Sequence, residues 1–295
     1  MNILQIMKSV LRNTLYVKNM HYRDKHIAFF EEGHKYIIDL EPNVKYTSVT
    51  TWLSDQFEKF NSDEIIKKMM AGSLWKKGHK YWDMTSQEIK NLWDKNKNNA
   101  CEAGTNLHYE IECFINENHR FRIDYTNKDL YDIYFANYEE VLTQKPIEWQ
   151  YFINFVKDYS NLKPYRTEWT VFNEDIKISG SIDMVYENDD GTLSIYDWKR
   201  VKDITRINAY NKFGLPPSIC HLCDSNYWHY ALQLNMYKYI LETKYDKKVK
   251  DLYLVRLHPE ATTKNYELIK LPVLDTEINE LVQERINLYH TENLF

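Results

Sequence analysis

The sequence has few residues that break secondary structure. Its 295 residues include only 7 glycines and 7 prolines, and no low-complexity tract divides them. Nor is there an apolar run of the length that a membrane-spanning helix needs, so we expect no membrane association. Hydrophobic residues make up 43% of the chain and charged residues 27%, which is typical of a globular protein with a full core.

Positive charge is not in excess. Lys and Arg total 38 against 43 Asp and Glu, a net charge of -5, which argues against a uniformly basic nucleic-acid-binding surface but not against a local basic patch. Lysines collect between residues 67 and 97, where a solvated helix face and a phosphate-facing patch are both open interpretations. The first 23 residues contain no acidic side chain. We interpret them as an amphipathic helix packed on the body rather than a signal segment.

Cysteine is scarce too. Four cysteines without an export signal predict free thiols in a reducing, intracellular compartment. Cys220 and Cys223 form a CxxC with His221 between them and His229 downstream, so zinc binding or redox chemistry is an alternative at this place. No second CxxC or HxxxH completes a four-ligand zinc set in the sequence.

The pattern of apolar and turn residues predicts an α/β fold around a mixed sheet. A β-rich hairpin is expected within residues 26–40, followed by a β-branched run that ends where Ser54 or Asp55 caps a helix. The further predicted helices cover residues 62–70, 86–96, 100–116, 127–142, 148–159, 226–245 and 275–289. The further predicted strands cover residues 165–173, 176–187, 191–199, 250–259 and 265–273.

One predicted hairpin, SGSIDMVYENDDGTLSIYDWKR (residues 179–200), carries charges on arms that otherwise resemble core strands. Because side chains alternate along a strand, Asp197 and Lys199 share one face. Folding about the Asp-rich turn brings Asp183 opposite Tyr196 or Asp197, depending on a bulge. Two converging carboxylates repel unless a cation intervenes, and such hard oxygen ligands suit Mg²⁺ or Mn²⁺. A metal held here beside the Lys199 ammonium fits phosphodiester hydrolysis, and an ordinary salt-bridged surface hairpin is the alternative.

Two predicted helices supply further polar signals. His108 and Glu112 lie one turn apart on one helix, and His108 is a candidate third metal ligand. Gln233 and Tyr237 have the same spacing on an otherwise apolar helix. Taken alone, the first pair is explained by a packed or surface histidine and the second by a satisfied hydrogen bond in the core.

The order of these motifs is more specific than any one of them. A GTxxH helix, a strand Asp, a strand DxK and a QxxxY helix follow one another, and in this order they resemble the PD-(D/E)XK nuclease superfamily of the RecB type. The resemblance covers roughly residues 104–257. It implies a restriction-endonuclease-like core, a central mixed β-sheet flanked by helices, within residues 100–295. A helical and hairpin extension over residues 1–99 would pack on that core as one compact unit.

The resemblance also implies a role for each matching residue. His108, Asp183 and Asp197 would be ligands of Mg²⁺ or Mn²⁺, with the Trp198 carbonyl as a further ligand. Lys199 would be the catalytic lysine. His108, Asp183, Asp197 and Lys199 together would form the catalytic set.

Supporting and DNA-binding residues follow from the same resemblance. The supporting positions would be Glu168, Glu112, Gln233 and Tyr237. Whether Glu168 binds metal or braces the sheet stays open. Just past the catalytic strand, where DNA phosphates would lie, the candidate binding residues are Arg200, Lys202, Arg206 and Lys212.

Flanking phrases such as YTSVTTWLSDQFEKFNSDEI and NACEAGTNLHYEIE resemble nuclease-like proteins of giant DNA viruses. This likeness extends over most of the chain from about residue 46. It implies a viral protein acting in the host cytoplasm or a viral factory, in DNA processing or defence. The cysteine cluster that follows the core in iron–sulfur members of the RecB type has no counterpart here, so no iron–sulfur cluster is expected.

We therefore predict a metal-dependent DNA nuclease, an exonuclease that acts on DNA ends or single-stranded segments through metal-activated water. The alternative is a catalytically inactive nuclease-fold protein that binds DNA during viral DNA processing. Self-association into a homo-oligomer and a helicase or other DNA-processing partner are left open.

Overall fold

The computed structural model describes residues 13–30, 32–33, 35–121 and 145–292. The helix predicted over residues 127–142 lies outside these ranges, as do the first 12 residues of the predicted opening helix. The described part of that helix, α1 (Asn13–Lys18), places Leu15 in the core with 1% of its surface exposed. For this part, the expected packing on the body is confirmed.

A hairpin follows α1. A 3₁₀ turn (Asp24–His26) leads into β1 (Ile27–Phe30), which pairs antiparallel with β2 (Lys35–Ile38). The hairpin predicted within residues 26–40 is therefore confirmed.

The helix cap predicted at Ser54 or Asp55 is wrong. Ser48 ends a two-residue strand, β3 (Thr47–Ser48), and N-caps helix α2 (Val49–Ser54). Its Oγ accepts a hydrogen bond from the amide of the third helical residue at 3.1 Å. Three apolar side chains of α2 are buried at helical spacing, and this burial outweighs the strand preference of the β-branched residues.

Two helices predicted separately are one. After α3 (Ser62–Ala71), residues 86–96 and 100–116 lie in a single helix, α4 (Ser86–Phe121). The residues between the two predicted helices include neither glycine nor proline, so nothing ends the first helix. The boundary predicted between residues 99 and 100 lies inside α4. The division into an extension and a core stays a prediction.

The remaining elements build the sheet and its helical cover. They are α5 (Ile147–Asp158), β4 (Lys163–Asn173), β5 (Ile178–Glu187), β6 (Leu193–Lys199), α6 (Asn226–Lys244), β7 (Val249–Arg256), β8 (Glu267–Lys270) and α7 (Asp275–Glu292). In the described residues, the six-stranded sheet has the order β3-β5-β6-β7-β8, and β4 pairs with β5. The β3–β5 and β6–β7 pairs are parallel, and the others are antiparallel. The predicted mixed sheet flanked by helices is confirmed.

Among the described residues, two large hydrophobic cores cover the sheet, and a smaller one joins Phe172 of β4 to the β1–β2 hairpin. Ile195 of β6 packs with Leu234 of α6 in one large core, whereas Trp198 of β6 packs with Phe152 of α5 in the other. Side chains on the two faces of β6 thus pack in different cores. Within the described ranges, no helix is both long and apolar enough to cross a membrane.

The sheet has a gap along one edge of β5. On the edge opposite β4, β5 pairs with β3 at Ile178 and Ser179 and with β6 from Met184 to Glu187. Residues 180–183 lie between these two pairings, and no strand among the described residues pairs with them on that side. Polar side chains collect at this gap.

Candidate active site

Asp183 lies in the gap. The pairing of β5 with β6 ends at Met184 and Tyr196, and continuing this register would place Asp183 opposite Asp197. There the Asp183 Oδ2 accepts a hydrogen bond from the Trp198 amide at 3.0 Å. A side-chain carboxylate thus takes the place of the missing backbone acceptor.

Glu168 lies beside Asp183 on β4. The β4–β5 register omits a Glu168–Asp183 pair although the residues on both sides are paired. Glu168 has a φ of +43°, which is rare for a residue with a side chain and is strained within a strand. Its Oε2 accepts a hydrogen bond from the Ser181 hydroxyl at 3.0 Å. The carboxylate is therefore aimed at the gap by an irregular strand and a serine that the sequence did not single out.

Asp24 forms hydrogen bonds with side chains on both sides of Glu168 along β4. Arg166 Nη1 donates to Asp24 Oδ2 at 2.6 Å, and Trp169 Nε1 donates to Asp24 Oδ1 at 2.9 Å. The relative exposures of Asp24, Arg166 and Trp169 are 6%, 3% and 0%. No local sequence signal predicts this contact, because Asp24 and Arg166 are 142 residues apart.

His108 reaches the two carboxylates from α4. Its Nε2 lies 2.9 Å from the Trp198 carbonyl oxygen, to which it is placed to donate. Its Nδ1 then carries the lone pair and lies 3.4 Å from Asp183 Oδ2 and 4.0 Å from Glu168 Oε1. Ligand atoms of these three residues lie within 4.8 Å of one another. Three electron-pair donors that face one point form a set that a divalent cation satisfies.

A buried ion pair lies next to this group. Lys199 Nζ is 2.6 Å from Asp197 Oδ2 and 4.5 Å from the centroid of the Tyr230 ring. Gln233 Nε2 donates to Asp197 Oδ1 at 3.3 Å. Burial raises the pKa of Asp197 to about 6, although Lys199 opposes the rise. Burial alone would lower the pKa of Lys199, but the carboxylates of Asp197 and Asp183 raise it above its ordinary value, so the lysine stays charged.

Tyr237 lies below the gap. Burial raises the pKa of its hydroxyl well above the ordinary value. Gly180 makes room for its ring, because a Cβ at that position would lie 2.8 Å from Tyr237 Cε1. Gln233 and Tyr237, one helical turn apart on α6, thus both project toward the gap.

Only some of the predicted metal ligands lie together. His108 and Asp183 converge, and Glu168, whose role the sequence left open, completes their group. Asp197 is bonded instead to Lys199 and Gln233. The Trp198 carbonyl accepts from His108 and keeps one lone pair.

Glu112 lies one helical turn beyond His108. Its side chain is buried, and it is not a member of the three-ligand group. The backbone carbonyl of Glu112 accepts a hydrogen bond from Asn116 Nδ2. Asn116 Nδ2 also donates to the Oγ1 of Thr167, the residue before Glu168. This part of α4 is thereby fixed to β4.

The four predicted DNA-binding residues differ in their contacts. Arg200 Nε lies 2.6 Å from Glu148 Oε1 in a mostly buried ion pair. The others are more exposed: Lys202 pairs with Glu260, Lys212 pairs with Glu58, and the Arg206 guanidinium lies 4.4 Å from the centroid of the Tyr227 ring.

Among the described residues, no ligand cluster includes the CxxC. Cys220 and Cys223 are free thiols. His221 contacts Glu277 at 3.2 Å, and His229 contacts Asp224 at 2.9 Å. Within the ranges that the structure describes, His108, Glu168 and Asp183 are the group placed to hold a metal ion.

Comparison with known proteins identifies a family. The family model of the PD-(D/E)XK nuclease superfamily matches residues 122–292, a range that includes Glu168, Asp183, Asp197 and Lys199 and begins after His108. The chain is also similar to a solved structure titled "Crystal structure of SSO0001", with 18% identity and a TM-score of 0.24 over 57% of this chain and 68% of that chain. No curated protein matches the chain.

Proposed function

The chain belongs to the PD-(D/E)XK nuclease superfamily, and on this premise we propose that it is a deoxyribonuclease that acts from DNA ends. The superfamily implies metal-dependent nuclease activity; the DNA substrate and the exonucleolytic action are our proposal. The observation that carries the proposal is the convergence of His108, Glu168 and Asp183 beside the buried Lys199.

The donor set fits a divalent cation. Two carboxylates and one imidazole nitrogen offer hard ligands and two negative charges, which suit Mg²⁺ or Mn²⁺. His108, Glu168 and Asp183 would hold the ion, with Asp197 and the Trp198 carbonyl as proposed further ligands. When bound, the ion polarises a phosphodiester and lowers the pKa of a coordinated water.

The chain's own residues prepare the site for a phosphodiester. Lys199 remains an ammonium because Asp197 and Asp183 raise its pKa, so it is placed to offset negative charge on the phosphate or to orient the attacking water. Asp197 holds Lys199 through their ion pair, and Gln233 holds the Asp197 carboxylate. Because these groups are buried, little reorganisation is needed when substrate binds.

Residues beyond β6 support binding of DNA. Lys202 and Arg206 follow the catalytic strand on exposed positions and Lys212 on a partly exposed one, and all three are proposed to contact phosphates. Arg200 would act mainly by holding Glu148 of α5. The order of the motifs supports a RecB-type assignment, and the flanking phrases support a relationship with giant-virus proteins. The four free cysteines fit a reducing compartment.

The proposal is tested by digestion of end-labelled DNA. Wild type would be compared with Asp183→Asn and Lys199→Ala on linear and circular single-stranded DNA, with Mg²⁺, Mn²⁺ or EDTA. The matched control is Lys163→Ala, which removes an exposed lysine that pairs with Asp189 at the far end of the β5–β6 hairpin. We expect metal-dependent loss of linear DNA, a decrease of about 100-fold or more in both site variants, and no decrease in the control.

Three results would contradict this function. Equal residual digestion by wild type and both site variants would show that the activity does not belong to this site. Cutting of circles as fast as linear DNA would overturn the exonuclease assignment. DNA binding by wild type without cleavage under any metal condition would support the inactive, DNA-binding alternative.

A further inference from the structure

One segment of this acidic chain has only basic charge. Between Glu64 and Asp83, residues 65–82 include five lysines and no acidic residue, whereas the whole chain has a net charge of -5. We call residues 65–82 the lysine–aromatic segment. It covers most of α3 and the turns that follow, outside the residues that the family model matches. A local basic patch in an acidic chain is the electrostatic feature expected of a nucleic-acid-binding surface.

The lysines of this segment are available to a ligand. Their side chains are exposed, and within the described ranges no carboxylate lies within 4.0 Å of any of them; they are Lys67, Lys68, Lys76, Lys77 and Lys80. Elsewhere many exposed lysines are already paired, for example Lys163 with Asp189 and Lys250 with Asp190. Among the described residues, therefore, no ion pair neutralises the charge of the segment.

Aromatic rings lie among these lysines. The Trp75 ring centroid is 4.9 Å from that of His79 and 5.9 Å from that of Trp82, and Trp82 keeps 36% of its surface exposed. Beside them, Tyr81 and Trp93 have centroids 6.1 Å apart. Such rings offer flat faces on which unpaired bases stack, whereas bases in a duplex have no free faces. The combination favours a single strand over a duplex.

Hydrogen-bonded turns order the backbone that carries these rings. Successive tight turns carry hydrogen bonds from Trp75 N to the Gly72 carbonyl at 3.0 Å and from Trp82 N to the His79 carbonyl at 2.9 Å. Gly78 has a φ of +100°, which lets the chain turn between the lysines. The backbone of the segment is thus ordered before a ligand binds, which reduces the entropic cost of binding.

The segment is connected to the candidate active site by α4. Lys90 and Lys97 lie 18 and 11 residues before His108, which are close to whole numbers of helical turns, so the three share one face. Eighteen residues of helix span about 27 Å. On the same face, no described residue outside the local helix backbone places an atom within 4 Å of the position where Gly104 would carry a Cβ. In the described part of the chain, residues 94–102 of α4 are exposed, whereas Lys90 is already paired with Asp63, so the accessible part of this face lies around Lys97.

We propose that the lysine–aromatic segment binds single-stranded DNA and directs it along α4 toward His108. This inference rests on the proposed function for its choice of DNA. Lys76, Lys77 and Lys80 contact phosphates, and Trp82 stacks on a base. The segment thereby sets substrate preference at a distance from the ligand group.

Binding is measured without cleavage, by fluorescence anisotropy of labelled dT25 in EDTA. The test variant is Lys76→Gln/Lys77→Gln/Lys80→Gln. The control variant is Lys163→Gln/Lys250→Gln/Lys270→Gln, which removes the same charge from exposed lysines that are paired with carboxylates. We expect the test variant to bind dT25 at least about tenfold more weakly than wild type. The slope of log K against log salt concentration should be smaller in magnitude by about 2, and the control should bind as wild type does.

A separate variant tests stacking. Trp82→Ala is expected to weaken dT25 binding by about 5- to 150-fold with an unchanged salt dependence, because stacking involves no counterion release. A duplex of the same length is expected to bind more weakly than dT25 and to be insensitive to Trp82→Ala. Thermal unfolding followed by circular dichroism checks that each variant is folded.

The outcomes separate this inference from the nuclease assignment. Wild-type affinity in both the lysine and Trp82 variants, or an equal loss in the control variant, would overturn it even if metal-dependent digestion is observed. Preference for rU25 over dT25 would overturn the choice of DNA. Loss of binding in the test variants alone would support it even if no digestion is found.

Discussion

Replacing Asp24 by Asn is expected to destabilise the protein strongly. The Asp24–Arg166 ion pair is almost fully buried, with side-chain exposures of 1% and 3%. Breaking a buried pair by removing one partner leaves an uncompensated charge and costs about 3–5 kcal/mol. With an m value of about 3 kcal/mol/M for a chain of this size, the urea midpoint should fall by about 1–1.7 M. Circular dichroism and tryptophan fluorescence should report the same transition.

Asp189→Asn is the matched control for Asp24→Asn. Asp189 also pairs with a basic side chain, Lys163 at 2.6 Å, but it is 94% exposed. An exposed ion pair contributes little, so the midpoint should barely change. If both variants shifted the midpoint equally, the reasoning from burial would be refuted. Because Asp24 holds both sides of Glu168, the folded Asp24→Asn variant should also bind Mn²⁺ more weakly than the control.

Three further changes test the gap and its surroundings. Gly180→Ala should cost about 1–3 kcal/mol in urea unfolding because its Cβ meets the Tyr237 ring, and Tyr237→Leu in the same chain should recover part of the loss. Asp197→Asn/Lys199→Met should abolish digestion yet leave the metal-free protein as stable or more stable at pH 7. Because folding raises the pKa of Asp197 to about 6, the free energy of unfolding of wild type should decrease as the pH rises toward 6. That of the double variant should not decrease. Parallel plots of unfolding free energy against pH for the two proteins would refute this. Asp183→Asn should weaken Mn²⁺ binding by calorimetry at least about tenfold, and unchanged affinity would remove Asp183 from the ligand group.

Local sequence signals predicted the elements around the site well. The hairpin that carries Asp183 and Lys199 has strong turn residues and β-rich arms, so its strands are close to their predicted bounds. Strand alternation also placed Asp197 and Lys199 on one face, where they pair with each other. The helix that carries Gln233 was predicted because it is long and bounded by polar segments.

Contacts between distant parts of the chain were not predictable in this way. Glu168, with its positive φ, lies between Arg166 and Trp169, and both of these side chains contact Asp24, which lies far earlier in the sequence. Ser48 was missed as a cap because β-branched residues follow it, and only packing decides that they form a helix. The parallel pairing of β3 with β5 likewise joins segments about 130 residues apart, which no short-range pattern encodes.

The Trp198 amide gives the site its own spectroscopic probe. The Trp198 N–H donates to the side-chain carboxylate of Asp183 rather than to a backbone carbonyl of β5, and the Trp198 carbonyl accepts from His108. Two candidate ligands of the ion therefore polarise the two peptide groups that flank one residue. In a ¹⁵N-labelled sample, titration with Mg²⁺ should shift the Trp198 backbone amide resonance, so that metal occupancy can be followed without any substrate.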